Sequence, residues 1–517
     1  MPQPGPHFSS GGLLRRTDAR LDHDPQRVIS RLFVPGEELM TGRPRVDRVV
    51  GRVLELPEAD VAVMAQEIRD RFGDRHRDLV GMLTDHAEIG SVHLPDSTRI
   101  SADRAIVLGA TLTSEYAVEG AALCNPSAVL HPDQSGLAPG QARLAVSLRG
   151  IGEGHSSSIG FCEAVVGPGP SWTFLDRTLP TVAGTPAKTT FHRDSLRAIL
   201  QDSHQLDEFV QAVLEALPDE FDSQVLERVF DHVAVALLAR QTGKGSKDRL
   251  RHIVSSVNQT SFPPDVSLGQ QVLLPAHAEE RQGLEDARFV LFREDDGTTR
   301  YYATYTAWDG VTIAPRALES SDLRVFEMHR PAGPAARNKG MALFPRRVGG
   351  RYAALCRPDG ETNGIAFSDD GRVWGEPVVV APPTLPWELM QVGNCGSPIE
   401  TPQGWLVLTH GVGPMRVYSI GALLLDLEDP SRVVARLLEP LLTPTESRAD
   451  GYVPNVVYSC GGVVHDGLLW LPYAVGDARI EVGWVPVDEL LAAMTPEVAR
   501  EALMESDRMA TSGAQAL

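Results

Sequence analysis

The stretch GLEDARFVLFREDDGTTRYYATYTAW, residues 283–308, decides how the second half of this chain folds. Two runs rich in β-branched and aromatic residues flank the pair Asp296-Gly297, the combination that marks a tight turn between antiparallel strands. The first run carries an anomaly. Glu285, Asp286 and Arg288 put charge into a segment whose neighbours Leu284, Phe289 and Val290 read as buried. Unpaired charge in such a place is costly, so either a structural ion cluster or a functional site is expected there.

Downstream the layout recurs. MALFPRRVGGRYAALCRP (341–358) is a second hairpin around Gly349-Gly350. SSDLRVFE (320–327) and FSDDGRVWGEP (367–377) share a Ser-Asp turn followed by Arg-Val-aromatic, an aromatic placed to plug the gap between neighbouring sheets. From about residue 260 onward nearly everything reads as short strands punctuated by Gly, Pro and Asp. Repeated hairpin pairs of this kind favour a β-propeller over a pair of sandwiches.

Upstream the pattern is mixed. Residues 27–56 alternate in places (RVISRLFVPG, VVGRVLEL) and read as strands or an extended arm. Val61, Met64, Ile68 and Phe72 recur at helical spacing, and a short helix is expected to follow through Leu79-Leu83. AIVLGATL, ARLAVSLRG and SSSIGFCEAVV, between Ile106 and Val182, read as strands. Leu206, Phe209, Val210, Val213, Leu214 and Leu217 lay out one apolar helix face, and Val225, Leu226, Val229, Phe230, Val233 and Leu237 another. This places a helical block at 190–256.

At 517 residues the chain exceeds one ordinary domain, although a propeller would absorb most of it. A net charge of −20 argues against nucleic-acid wrapping and anionic-membrane docking, so an anionic substrate would need a local basic pocket. No apolar run approaches the ~18 residues of a membrane span. The Pro/Gly/Ser-rich N-terminus has no apolar signal core, and the five cysteines form no CxxC pair. A cytoplasmic protein with buried, reduced cysteines is expected, with no metal site. The acidic surface and helical block are compatible with a homo-oligomer.

Polar residues gather at strand ends: Asn125 and Ser127 in NPSAVL, Arg149, Glu153 and His155 in VSLRGIGEGHSSS, Lys339 in ARNKGMALF, Arg357 in LCRPDG, His410 in VLTHGVG and Asp477 in PYAVGDARI. Each has a plain structural alternative: a turn for Asn125 and Asp477, a hydrogen-bonded core histidine for His410, a surface charge for Lys339. Their recurrence at corresponding hairpin ends is what points to a site, because propeller strand ends converge on the central channel. Trp308, Trp387 and Tyr473 are candidate sugar-stacking rings. No nucleophile elbow, HExxH helix or P-loop is present, and GIGEG lacks the strand and helix a dinucleotide site needs.

GLEDARFV, NKGMALFPRRVGGRYAALCRP, ETPQGWLVLTHGV, GALLLDLEDP, GYVPNVVYSCG and PYAVGDARIEVGWVPVDELL, in that order, together resemble glycoside hydrolase family 130. This is the family of inverting β-mannoside phosphorylases and related β-mannosidases. The resemblance implies a mainly β fold: a five-bladed β-propeller with an N-terminal α/β extension and an inserted helical block. The implied division is a disordered tail (1–25), an N-terminal extension with helices (26–105), a first blade region (106–189), a helical insertion (190–256), the remaining blades (257–497) and a C-terminal tail (498–517).

The resemblance also assigns roles. It makes Asp286 the proton donor, acting through the 3-hydroxyl of the mannosyl unit. It makes Arg149, Lys339 and Arg357 the phosphate ligands, and Asn125, Ser127, Glu285, Arg288, His410 and Asp477 the substrate contacts. The implied reaction needs no cofactor beyond inorganic phosphate as co-substrate, and takes a manno-oligosaccharide or mannosyl-glycoside to α-mannose 1-phosphate. Two alternatives stay open: an inverting β-mannosidase using water, with Glu153 or Glu400 as base, and a non-catalytic carbohydrate-binding propeller. Two positions depart from the family pattern, Cys356 before Arg357 where histidine is usual and Ala287 where proline is usual.

Overall fold

The structure is a computed structural model that describes residues 12–35, 45–91, 99–202, 205–233, 241–255, 258–444 and 451–497. It is mainly β, with most helices gathered in two blocks and one short helix, Val487–Ala492, after the last strand of the final sheet. The C-terminal tail expected at 498–517 lies outside the described residues, as does the part of the N-terminal tail up to residue 11.

The rest of the expected tail is not disordered. Arg15–Asp22 is a strand paired antiparallel with Arg479–Pro486, with Arg16 opposite Gly483 and Leu21 opposite Ile480. Its alternation is charged rather than apolar, which hides a strand in the sequence. Thr17 Oγ1 donates to the Val482 carbonyl at 3.0 Å and Arg15 stacks on Trp484. A charged edge strand of this kind closes a sheet without inviting further pairing.

Helices Arg45–Glu55, Glu58–Phe72, Leu79–Gly90 and Ala102–Thr111 form the first helical block around Val50, Val61, Leu83 and Leu108. Two strand readings are corrected here. VVGRVLEL belongs to the first of these helices, where Val46, Val49, Val50 and Val53 are buried at helical spacing. AIVLGATL belongs to the fourth, which crosses the expected boundary at 105/106. Ser101 caps it by accepting from the Arg104 N–H, and Ile106, Val107 and Leu108 are all buried. A helix covered on several sides loses the polar stripe by which sequence periodicity tells helix from strand.

Gly109 lets the last two helices touch, since a Cβ there would come 1.8 Å from the Leu83 carbonyl oxygen. Gly109→Ala is expected to destabilise this block by about 1–3 kcal/mol, read as a lower urea midpoint, with activity per folded molecule unchanged.

Antiparallel meanders make up most of the rest, beside a separate pair of strands, Val28–Leu32 and Thr113–Ala117. The first runs Ala122–Leu130, Ala142–Ile151, Ser157–Val166, Trp172–Phe174. The next runs Gly283–Arg293, Thr299–Trp308, Ile313–Ser320, Val325–His329, and is joined to the first where Gly283 pairs with Ser157. Ala342–Leu343, Tyr352–Cys356, Asn363–Ser368 and Val378–Ala381 follow. Then come Gln391–Asn394, Gly404–Val412, Tyr418–Leu425 and Val433–Arg436. The last sheet is Val457–Tyr458, Leu468–Val475 and Arg479–Pro486, with the N-terminal strand outermost.

Apolar clusters join each meander to the next. Phe161 packs with Phe289 and Tyr305, Phe292 with Leu343 and Tyr352, and Leu355 with Trp405 and Leu423. Leu408 packs with Leu469 and Val485, and Trp470 and Val482 of the last sheet return to Leu144 and Val146 of the first. The packing therefore runs in a closed cycle. The two sequence echoes are the same turn twice. Asp322 accepts from the N–H groups of Arg324 and Val325, and Asp370 from those of Arg372 and Val373. Phe326 and Trp374 then enter successive inter-sheet clusters.

Helices Arg193–Asp202, Glu208–Ala216, Ser223–His232 and Gln241–Ser255 enclose Phe209, Val213, Leu226, Phe230 and Leu250, and this block touches Ala332 and Val373. Asp207 and Asp222 cap the second and third of these helices. No helix among the described residues is long and apolar enough to cross a membrane.

Candidate active site

Strand ends from the meanders converge on a cavity of about 240 Å³. Asn125, Arg149, Asp286, Lys339, Arg357, His410 and Asp477 line it, together with Gln391, Arg416, Tyr418, Tyr458, Val453 and Val456.

Two β-bulges build its floor. In the first meander the pairing slips between Cys124 and Ser127, and Asn125 has φ +50°. In the second it slips between Glu285 and Arg288, and Asp286 has φ +57°. Asn and Asp are the non-glycine residues that best tolerate this left-handed backbone. The bulges bring the two side chains together: Asn125 Nδ2 donates to Asp286 Oδ1 at 2.6 Å.

The second bulge also overturns the alternation expected of a regular strand, in which Glu285 would point away from Asp286. Both carboxylates meet one guanidinium. Arg149 Nη2 donates to Glu285 Oε1 at 2.7 Å and Nη1 to Asp286 Oδ1 at 3.2 Å, while Nε holds Ser157 Oγ at 3.0 Å. Lys339 Nζ lies 3.9 Å from the other Glu285 oxygen.

Arg288 is buried beneath the bulge and does not line the cavity. It donates to the Asp286 and Cys395 carbonyls and to the Tyr458 hydroxyl at 2.9–3.0 Å, so it fixes the backbone that carries Asp286. Ser127 is likewise a structural clip, its Oγ accepting from the Phe289 N–H at 3.1 Å. Of the residues assigned to the site from sequence, Ser127, Glu285 and Arg288 thus stand behind the lining.

The electrostatics follow from burial and this sharing. Burial opposes charge on Asp286, but Arg149, Arg288, Lys339 and the Asn125 amide outweigh it and hold the carboxyl down at about 2. Burial pushes Glu285 up against the pull of Arg149, with Asp286 adding to the rise. Burial likewise lifts Asp477 to about 6, only partly offset by Arg149. His410 is kept neutral by burial and by the adjacent Arg357 and Arg288, and its ring lies against Tyr418 and Tyr458. Arg357 donates to the Gly360 carbonyl and leaves its buried Nε without a partner among the described residues.

The other sequence candidates lie elsewhere. Trp387 and Tyr473 are buried, the first donating to the Leu438 carbonyl and the second bonded to Glu481. Trp308 ends its strand opposite Gly283, outside the lining. Glu400 pairs with Arg346 beside a different cavity. His155 bonds the Tyr452 hydroxyl, and neither it nor Glu153 lines the site. The rings at the cavity are instead Tyr418 and Tyr458, which the sequence marked only by their place after VLTHGVG and within GYVPNVVYSCG.

A family profile described as β-1,4-mannooligosaccharide phosphorylase matches residues 254–496. The 1,2-β-oligomannan phosphorylase of Thermoanaerobacter sp. (strain X514) is 33% identical over 272 residues, covering 51% of this chain and 89% of that protein. The β-1,2-mannobiose phosphorylase of the same organism is 34% identical over 223 residues, 42% of this chain and 72% of its own. Among solved structures, the β-1,2-mannobiose phosphorylase of Listeria innocua in complex with β-1,2-mannobiose aligns with a TM-score of 0.43 at 21% identity, over 73% of this chain and 92% of that one.

Proposed function

We propose that this chain, which belongs to glycoside hydrolase family 130, is a phosphorylase that cleaves β-mannosidic linkages with inorganic phosphate and inversion. Its products are α-mannose 1-phosphate and a shortened acceptor, and the β-1,2 linkage named in two of its relatives is the first to test. The observation that carries this reading is the convergence of Arg149, Lys339 and Arg357 with the buried Asp286 on one cavity. A hydrolase needs a second carboxylate to activate water, whereas phosphate needs positioning and charge balance. Neither Glu153 nor Glu400, the bases considered for water, lines the cavity; the second carboxylate that does is Asp477, so the three cations rather than a missing base carry the phosphorylase reading.

In the free protein Asp286 is ionised, because Arg149 holds it so. A donor must be protonated. Phosphate entering on Arg149 draws the guanidinium away from the carboxylates and places an anion beside them, and both changes favour a proton on Asp286. That proton passes through the mannosyl 3-hydroxyl to the departing oxygen while a phosphate oxygen bonds the anomeric carbon.

The fold we infer for this chemistry is a five-bladed propeller, supported by the cyclic packing of successive meanders. A cytoplasmic setting is supported by five free, buried cysteines. Phosphate acts as co-substrate with no further cofactor. The test is incubation with β-1,2-, β-1,3- and β-1,4-mannobiose, with and without phosphate. Cleavage of one linkage only when phosphate is present is expected. Equal cleavage without phosphate would replace this reading with the hydrolase, and sugar binding without turnover would replace it with the binding module.

A further inference from the structure

The lining cations are not equally free. Arg149 is divided between Glu285 and Asp286, Lys339 faces Glu285, and Arg357 donates to the Gly360 carbonyl. Arg416 differs: among the described residues neither a carboxylate nor a carbonyl engages its guanidinium, although it lines the same cavity. Arg416 is exposed at the rim of the cavity, where water solvates its charge, so what singles it out is its place in the lining rather than an unmet need for a partner.

The backbone that presents it is also unusual. Arg416 lies in the short turn between strands Gly404–Val412 and Tyr418–Leu425, closed by the Gly413 N–H donating to the Val417 carbonyl at 3.0 Å. Met415 and Arg416 have φ of +58° and +54°. Two consecutive non-glycine residues in the left-handed region cost roughly 1–2 kcal/mol each, and such strain gathers at ligand sites. The Met415 side chain is 86% exposed, so no packing of that residue compensates for the conformation. What the turn achieves is the placement of Arg416 at the cavity.

We propose that Arg416 is a phosphate ligand, which approaches the anion from the turn while Arg149, Lys339 and Arg357 approach from the strand ends. The proposal rests on the phosphorylase reading and adds to it a residue outside the phosphate set assigned from sequence. A planar guanidinium forks onto two phosphate oxygens, a charge-assisted contact stronger than one to a neutral sugar hydroxyl. Carboxylates already claim Arg149 and face Lys339, so Arg416 joins Arg357 in bringing positive charge that no carboxylate offsets to a phosphate dianion. The same contact would hold the phosphoryl group of mannose 1-phosphate in the synthetic direction.

The test compares wild type with Arg416→Gly, which accepts the left-handed backbone without strain and so preserves the turn, and with Arg416→Lys, which restores charge without the fork. Phosphate binding is measured by calorimetry, and the KM values for phosphate and mannobiose by steady-state phosphorolysis. Arg416→Gly is expected to raise both the phosphate Kd and its KM about 10- to 100-fold with the mannobiose KM unchanged, and Arg416→Lys to recover part of the loss. A phosphate Kd unaltered in Arg416→Gly overturns the proposal, as does a change confined to the mannobiose KM. A wild type that binds no phosphate overturns the phosphorylase reading as well, which separates the two failures.

Discussion

Asp286→Asn is expected to lower turnover per folded molecule by about 10²- to 10⁴-fold, the range for loss of a positioned proton donor. The amide keeps the shape of the carboxyl and still meets Asn125 and Arg149, but it has no proton to pass on. The variant should also be less stable at neutral pH, because the carboxylate is a charge partner as well as a donor. Its folded-state pKa lies below the ordinary 3.8, at about 2, so its contribution is present above pH ~4 and is lost as pH falls through ~2. The shift corresponds to about 2 kcal/mol at pH 7. Urea unfolding at pH 7 and turnover corrected for folded fraction separate the two roles. A variant that unfolds more easily yet keeps wild-type turnover per folded molecule would leave Asp286 as an ion-pair residue only.

Arg149→Met is expected to be the more damaging change. It removes a proposed phosphate ligand and the guanidinium that two buried carboxylates share. Leaving such charges unpaired costs about 3–5 kcal/mol. The pH dependence gives the signature. Without Arg149, burial raises Asp286 and Glu285 above their unfolded values, so the folded variant gains relative stability as pH falls and they take up protons. Thermal unfolding followed from pH 7 to pH 5 should therefore show the gap between wild type and variant narrowing. Phosphate should no longer bind measurably, and added phosphate should no longer raise the unfolding temperature. A pH-independent gap would mean that the carboxylates are neutralised by other partners. Retained phosphate binding would take Arg149 out of the anion site.

The residues that meet at the cavity were mostly visible in the sequence, because each is a polar group at the end of an otherwise apolar strand. Their division of labour was not. It depends on the register slip at Glu285–Arg288, which turns Glu285 toward Arg149 and sends Arg288 beneath Asp286. Nothing in the letters GLEDARFV announces a bulge, since the alternation that assigns faces assumes that none exists.

Two of the three aromatic candidates, Trp387 and Tyr473, failed because they are buried. Trp387 fills space against Gly411 and Gly421, whose absent side chains leave room for its ring, and that is a core role. Arg416 escaped notice because a Gly-Pro turn reads as a connection, and its value lies in a backbone conformation that composition does not reveal. The helix containing AIVLGATL was misread because its apolar residues face several neighbours.

The central claim is that phosphate, not water, receives the mannosyl unit. Its most direct measurement is phosphorus NMR of a β-1,2-mannobiose digestion started with a limited amount of inorganic phosphate. The account predicts that the inorganic resonance falls as an α-mannose 1-phosphate resonance rises, mole for mole with the linkages broken, and that cleavage reaches equilibrium or stops when phosphate is spent. Free mannose from both residues of the disaccharide, with the inorganic resonance untouched, would contradict it.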